Sequence, residues 1–215
     1  MSQNKYHHES IYRGEDAIRD FGYLDIAICG AGALGSNLAD TLTRQGFGSL
    51  KVIDKDRVET HNINTQVYSE SDVGALKVDA LKNKIFQNVG FEIEAVNKEL
   101  NEGNYKKLLK DESLIVDCFD NSESRELVQR YCRLKHVSCL HMGLFEGYGE
   151  IIWDEHYKVP KNPGEGDICD YPLARNLVTL VVSIAAEVIA NYPHSKEREK
   201  GWTVTLKDLA IRKKS

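Results

Sequence analysis

The stretch "AICGAGALGSNLADTL", from Ala27, carries Gly30, Gly32 and Gly35 where an apolar run meets a helical pattern. Glycines spaced G-x-G-x-x-G at a strand-to-helix junction let backbone N–H groups approach phosphate oxygens at the positive end of a helix dipole. Asp54 ends the next apolar run, 19 residues beyond Gly35. That is the place for a carboxylate that accepts hydrogen bonds from ribose hydroxyls. The pair reads as a nucleotide cradle, and at this level a nicotinamide dinucleotide fits as well as ATP. A glycine turn that only permits tight strand–helix packing is the plain alternative.

These residues need a frame. Strand-like runs ("DIAIC", "LKVID", "FEIEAV", "SLIVDCF", "VSCLHMG") alternate with amphipathic patterns over about 34–45, 77–86, 105–109 and 122–134. Such alternation predicts a Rossmann-like, doubly wound α/β fold with a mostly parallel sheet. "GYGEIIWDEHYKV" reads as an antiparallel return strand, and a helix is expected over about 175–191. The expected organisation is an N-terminal helical leader over 1–24 and one nucleotide-binding domain over 25–215, irregular from about 151. Its lysine-rich end reads either as a solvated tail or as a dock for an acidic partner.

Composition narrows the function. A chain of 215 residues, 41% of them hydrophobic, can bury a sizeable core. Its 33 acidic and 28 basic residues are interspersed, for a formal charge of -5, so no nucleic-acid partner is expected. The run from Leu177 to Ala190 carries Glu187, which favours a core helix over a membrane span and a cytoplasmic address. The five cysteines are an odd count, and they read as thiols rather than as a disulfide framework. Cys29 and Cys118 fall in or at the end of strands and read as core residues; no C-x-x-C pair predicts zinc.

Five ordered elements, "GAGALGS", "DKDRV", "NINTQ", "GALK" and "DCFDN", closely resemble the ThiF/MoeB/HesA-type adenylyltransferases, a family that includes the ubiquitin-activating enzymes. The resemblance runs from about Tyr6 to Asn191. It implies ATP and Mg²⁺ as cofactors and activation of a carboxylate, most often the C-terminus of a ubiquitin-like carrier protein, while some relatives activate peptides or a modified tRNA base. It implies a homodimer or heterodimer as well. By the same resemblance Asp54 holds the ribose, Lys77 faces the phosphates, Asp120 ligates Mg²⁺ and Asn62 donates to the polyphosphate. Asp56, Arg57, Gln66 and Asn121 complete the implied binding set. Cys169, in "GDICDYP", stands about where thioester-forming relatives place an acceptor cysteine. Flanking Asp167 and Asp170 oppose a thiolate there.

Each residue keeps an ordinary alternative. Lys77 can be a solvated lysine at a helix start, Asp120 or Ser122 can cap the next helix, and Asn62 can stabilise a turn. His141, after an apolar strand, can face the site or lie in the core. Two departures from the family pattern stand out: His8 and Thr65 replace arginines that reach the triphosphate. Arg57 is the first candidate to take their place, with Lys55, Arg13 and His8 behind it. If nothing compensates, the chain is a weakly catalytic ATP-binding subunit that needs a partner. A nicotinamide-dependent oxidoreductase is the remaining alternative, and it gives Lys77 and "DCFDN" no work.

Overall fold

The computed structural model describes residues 4–160, 172–194 and 199–214. Two short helices lead the chain, α1 (His7–Arg13) and α2 (Glu15–Phe21), separated by Gly14 at φ +90. There follow β1 (Asp25–Cys29), α3 (Ala33–Gln45), β2 (Ser49–Ile53), α4 (Lys77–Val89), β3 (Glu94–Val96), α5 (Tyr105–Leu108) and β4 (Leu114–Asp117). Then come α6 (Ser122–Lys135), β5 (Ser138–Phe145), β6 (Tyr148–Trp153), α7 (Arg175–Asn191), β7 (Gly201–Thr205) and β8 (Ala210–Lys213).

All eight strands form one sheet in the order β3-β2-β1-β4-β5-β6-β7-β8. The first five are parallel and the last three return antiparallel. β1 and β4 read as unbroken apolar runs because helices cover both of their faces, which is what a parallel sheet requires. On one face, Leu34, Leu38 and Leu42 of α3, Val78, Leu81 and Ile85 of α4, and Val178, Val181, Ala185 and Ile189 of α7 repeat at three- and four-residue intervals into a single core. On the other face Leu127, Val128 and Tyr131 of α6 close over Ala27, Cys29 and Ile115, with Cys132 and Cys139 buried among them. Each large side chain so buried contributes about 1.5–3 kcal/mol.

The helical stretch Arg175–His194, α7 with the turn that follows it, is long and apolar enough to cross a membrane by length and composition, but here α7 packs against α3 and the β5–β7 strands. Two sequence expectations change. "FEIEAV" forms a strand only over Glu94–Val96, since it is the sheet edge and pairs on one side with β2 alone. The lysine-rich end is no tail: Trp202–Thr205 pairs with Ala210–Lys213 and extends the sheet. The region read as irregular from about 151 therefore contributes the end of β6, α7, β7 and β8.

Candidate functional site

Chain order leaves β1 for β2 on one side and returns to β4 on the other, so the sheet's switch point lies at the carboxyl ends of β1 and β4. Ligands of open α/β sheets bind at such a crevice. The glycine turn occupies it, and its three glycines differ in what holds them there. A Cβ on Gly35 would lie 1.8 Å from the Gly30 carbonyl oxygen, so α3 rests directly on the turn. Gly30 sits at φ +101, and a Cβ there would press on the Cys118 carbonyl at 3.1 Å. A Cβ on Gly32 would meet nothing within 4 Å. The fold requires the outer two, while Gly32 opens onto free space at the N-terminus of α3, as a phosphate cradle demands.

Asp54, at the end of β2, accepts from the Ala31 N–H at 2.6 Å and from the Asp56 N–H at 2.7 Å. It thereby ties the glycine turn to the second strand. Burial raises its pKa, and the Lys77 charge works against that rise. Lys77 is the first residue of α4, and its backbone N–H donates to the Asp56 carbonyl. Its ammonium stands 3.4 Å from the Asp56 carboxylate, and only 8% of the residue is exposed. A cation held at a helix N-terminus opposes the macrodipole and calls for an anion nearby. Asp54 and Asp56 meet part of that demand, and Asp56 is itself half exposed.

Across the turn, Cys118 and Phe119 pack against Gly30, which brings the loop carrying Asp120 to the same mouth. Asp120 is exposed. It is Asn121, not Asp120 or Ser122, that caps α6, accepting from the Ser124 N–H at 2.9 Å. Its amide nitrogen leans on Asp120 at 3.5 Å. Asp120 thus keeps its carboxylate toward solvent, and its oxygens suit a hard cation such as Mg²⁺. Among the described residues no three His, Cys, Asp or Glu side chains form a metal cage. An ATP-borne Mg²⁺ draws most of its ligands from phosphate and water and needs none.

The remaining assigned residues divide. Asn62 is buried, with its side-chain oxygen accepting from the Glu59 N–H, so its carbonyl end stabilises a turn. Gln66 is buried nearby, and among the described residues its side-chain oxygen has no hydrogen-bond partner. Arg57 turns its guanidinium to the Gly74 carbonyl at 2.7 Å, on the hairpin-like contact that leads into α4. Of the other proposed substitutes, Arg13 is held by Glu187 and Glu9, and Lys55 pairs with Glu99 at 2.5 Å. His8 is exposed on α1. Cys169 lies outside the described residues.

One cluster was missed as a unit. Asp117 is fully buried, with Arg125 at 3.3 Å and His141 Nδ1 at 2.7 Å from Oδ2; its Oδ1 accepts from the Phe119 N–H. His141 Nε2 stands 3.2 Å from Asp154, and the ring stacks on Tyr157 at 3.8 Å. His141 therefore lies in the core and does not face the mouth. Register is the signal that could have found it, because Asp117 and His141 are direct partners on parallel β4 and β5.

A Rossmann-type α/β domain, with a glycine turn at the switch point of its sheet, is the class that the fold defines. The family model described as "ThiF family" matches residues 7–189, and the chain belongs to that family. It is 33% identical over 126 residues to the sulfur carrier protein ThiS adenylyltransferase of Bacillus subtilis, covering 57% of this chain and 38% of that protein. Against ubiquitin-like modifier-activating enzyme 5 of Drosophila virilis it is 31% identical over 150 residues, 64% of this chain and 37% of that one. The chain thus spans less than two-fifths of either relative. Among solved structures, E. coli MccB with MccA-N7isoASN aligns with 100% of this chain and 72% of its own, at a TM-score of 0.81 and 18% identity, a likeness of fold.

Proposed function

We propose that the chain uses ATP to adenylylate a carboxylate, with the C-terminus of a ubiquitin-like carrier protein or of a peptide as substrate. The observation that carries this reading is Lys77, a buried cation beside Asp56 and close enough to act on Asp54, the carboxylate that holds a glycine turn whose middle residue opens onto free space. A carboxylate oxygen attacks the α-phosphorus, forming a new P–O bond, and the bond to the bridging oxygen breaks with its electron pair leaving on pyrophosphate. The Lys77 ammonium offsets the charge that grows on the departing phosphates. The open cradle at Gly32 admits the phosphate chain to the α3 N–H groups. Asp120 would hold Mg²⁺, which neutralises phosphate charge when bound. The names of the relatives, adenylyltransferases and a modifier-activating enzyme, support the same reaction.

ATP–pyrophosphate exchange dependent on an added carrier or peptide tests this. Lys77→Ala is expected to reduce exchange by about 10²–10³-fold, the scale of losing one preorganised charge partner of a transition state, while the melting temperature stays near the parent's. Exchange at the parental rate in Lys77→Ala would refute the assignment. A second reading, a subunit that binds ATP but needs a partner chain, gains weight from Arg13, which Glu187 holds away from any phosphate role. ATP binding without exchange, restored by adding a partner, selects it.

A further inference from the structure

A triphosphate brings several negative charges to the mouth, and Lys77 is one cation. Among the described residues, the other cations at this end of the sheet are mostly engaged. Lys55 is paired with Glu99, Arg57 is turned to Gly74, and Arg125 is sealed under the surface with Asp117. Arg175 is different. It is exposed, and its guanidinium makes one hydrogen bond among the described residues, Nη1 to the Asn64 carbonyl at 3.1 Å.

That single contact places it. Asn64 belongs to the turn over residues 60–66, and the next residue's carbonyl, on Thr65, accepts from the Asn37 side chain at 2.9 Å. The same Asn37 nitrogen donates to the Ala33 carbonyl at 2.7 Å, and Ala33 is the first residue of α3. Three hydrogen bonds in series thus connect the Arg175 guanidinium to the helix end that closes the glycine turn. Further along, Val67 donates to Ser36 and the Tyr68 hydroxyl donates to the Ala31 carbonyl, so the whole turn is anchored on the cradle. Arg175 is also the first residue of the 17-residue α7, whose first turn contains no acidic side chain and whose N-cap, Ala174, offers no cap. A guanidinium there gains nothing from its own helix. Among the described residues, four of its five N–H donors have no hydrogen-bond partner and suit an anion.

We infer that Arg175 binds the β- or γ-phosphate of the nucleotide. It thereby supplies from α7 the charge that Thr65, a small buried side chain in the same turn, does not. This rests on the adenylylation reading and adds a binding residue to it. It stands beside the first expectation for the substitute, Arg57, whose guanidinium donates to the Gly74 carbonyl.

Equilibrium binding of ATP and of adenosine to the 215-residue chain, wild type against Arg175→Ala, Arg175→Gln and Arg175→Lys, tests it. Arg175→Ala and Arg175→Gln are expected to weaken ATP by about 10- to 100-fold, the worth of one or two charge-assisted hydrogen bonds. Adenosine affinity is expected to stay the same, and Arg175→Lys to retain more ATP affinity than Arg175→Gln. Glutamine can still donate to the Asn64 carbonyl, so wild-type ATP affinity in Arg175→Gln would reduce Arg175 to a structural tie and overturn the inference. Unchanged ATP affinity in Arg175→Ala would do the same. Should the alanine variant fail to fold, the lysine–glutamine comparison decides. A wild-type chain that binds ATP no more tightly than adenosine would overturn the adenylylation reading as well, which separates the two failures.

Discussion

His141 holds two buried carboxylates at once. A neutral imidazole carries one N–H, yet both ring nitrogens here face acceptor oxygens, Asp117 at 2.7 Å and Asp154 at 3.2 Å. Burial alone would lower the pKa of the ring, but the hydrogen bonds to the two aspartates outweigh it and raise it. Burial likewise pushes Asp117 and Asp154 up, and their cationic partners turn both below the usual carboxylate range. The sign for stability follows. The raised imidazole contributes fully below the ordinary histidine pKa and loses its contribution as pH climbs through the folded value. The lowered aspartates contribute above the ordinary carboxylate pKa and lose theirs as pH falls through the folded values. His141→Gln is expected to cost about 3–5 kcal/mol at neutral pH, the scale of breaking a buried charged pair. Urea denaturation at rising pH should show the difference from wild type shrinking on the alkaline side. A gap that stays constant from pH 6 to pH 9 would mean that the ring is not charged. This network was illegible in sequence because its members lie 24 and 13 residues apart and meet only through strand register. The place of Asp54 was legible because it closes the apolar run that follows the glycine turn, whereas Lys77 was singled out through the resemblance of "GALK" to the family pattern.

Among the elements, the glycine turn and α3 separate what folding needs from what a ligand needs. Gly35→Ala places a methyl group 1.8 Å from the Gly30 carbonyl oxygen, a contact that only backbone movement relieves. The expected result is a loss of several kcal/mol, of the kind seen when a tight packing site is overfilled. Gly32→Ala meets open space and has a negative φ, so its melting temperature should stay near the parent's while ATP affinity falls. Equal thermal losses in both variants would show that the turn is uniformly structural. Helices α3, α4, α6 and α7 were readable because their apolar stripes are long and periodic. The edge strand β8 was not. β8 carries Arg212 and Lys213, the sort of charge that protects a sheet edge from pairing with other chains, and that charge hides the strand in a lysine-rich stretch.

At the scale of the whole molecule, α7 joins the N-terminal leader to the mouth. Its first residue, Arg175, touches the turn over the cradle, and Glu187, three turns on, binds Arg13 of α1. Arg13 is well covered, with its guanidinium shared between Glu187 and Glu9, and this pairing ties α1 to α7, while α2 is anchored by Phe21 in the core. The hydrogen bond to Glu187 raises the Arg13 pKa, and the Arg13 bond lowers that of Glu187, so the tie is intact at neutral pH. Among the described residues α1 buries no side chain of its own, and Ile11 and Tyr12 are exposed. Arg13→Ala should therefore loosen the leader without unfolding the core. Limited proteolysis at pH 7 is expected to cut within residues 4–24 several-fold faster than in wild type, with the thermal transition of the domain shifted by only a few degrees. Glu187→Gln should produce a weaker version of the same change, because the neutral amide still accepts one hydrogen bond but no longer pairs the charge. Cleavage at the parental rate in both variants would mean that the leader is held by its apolar contacts at Ile18 and Phe21 rather than by the ion pair.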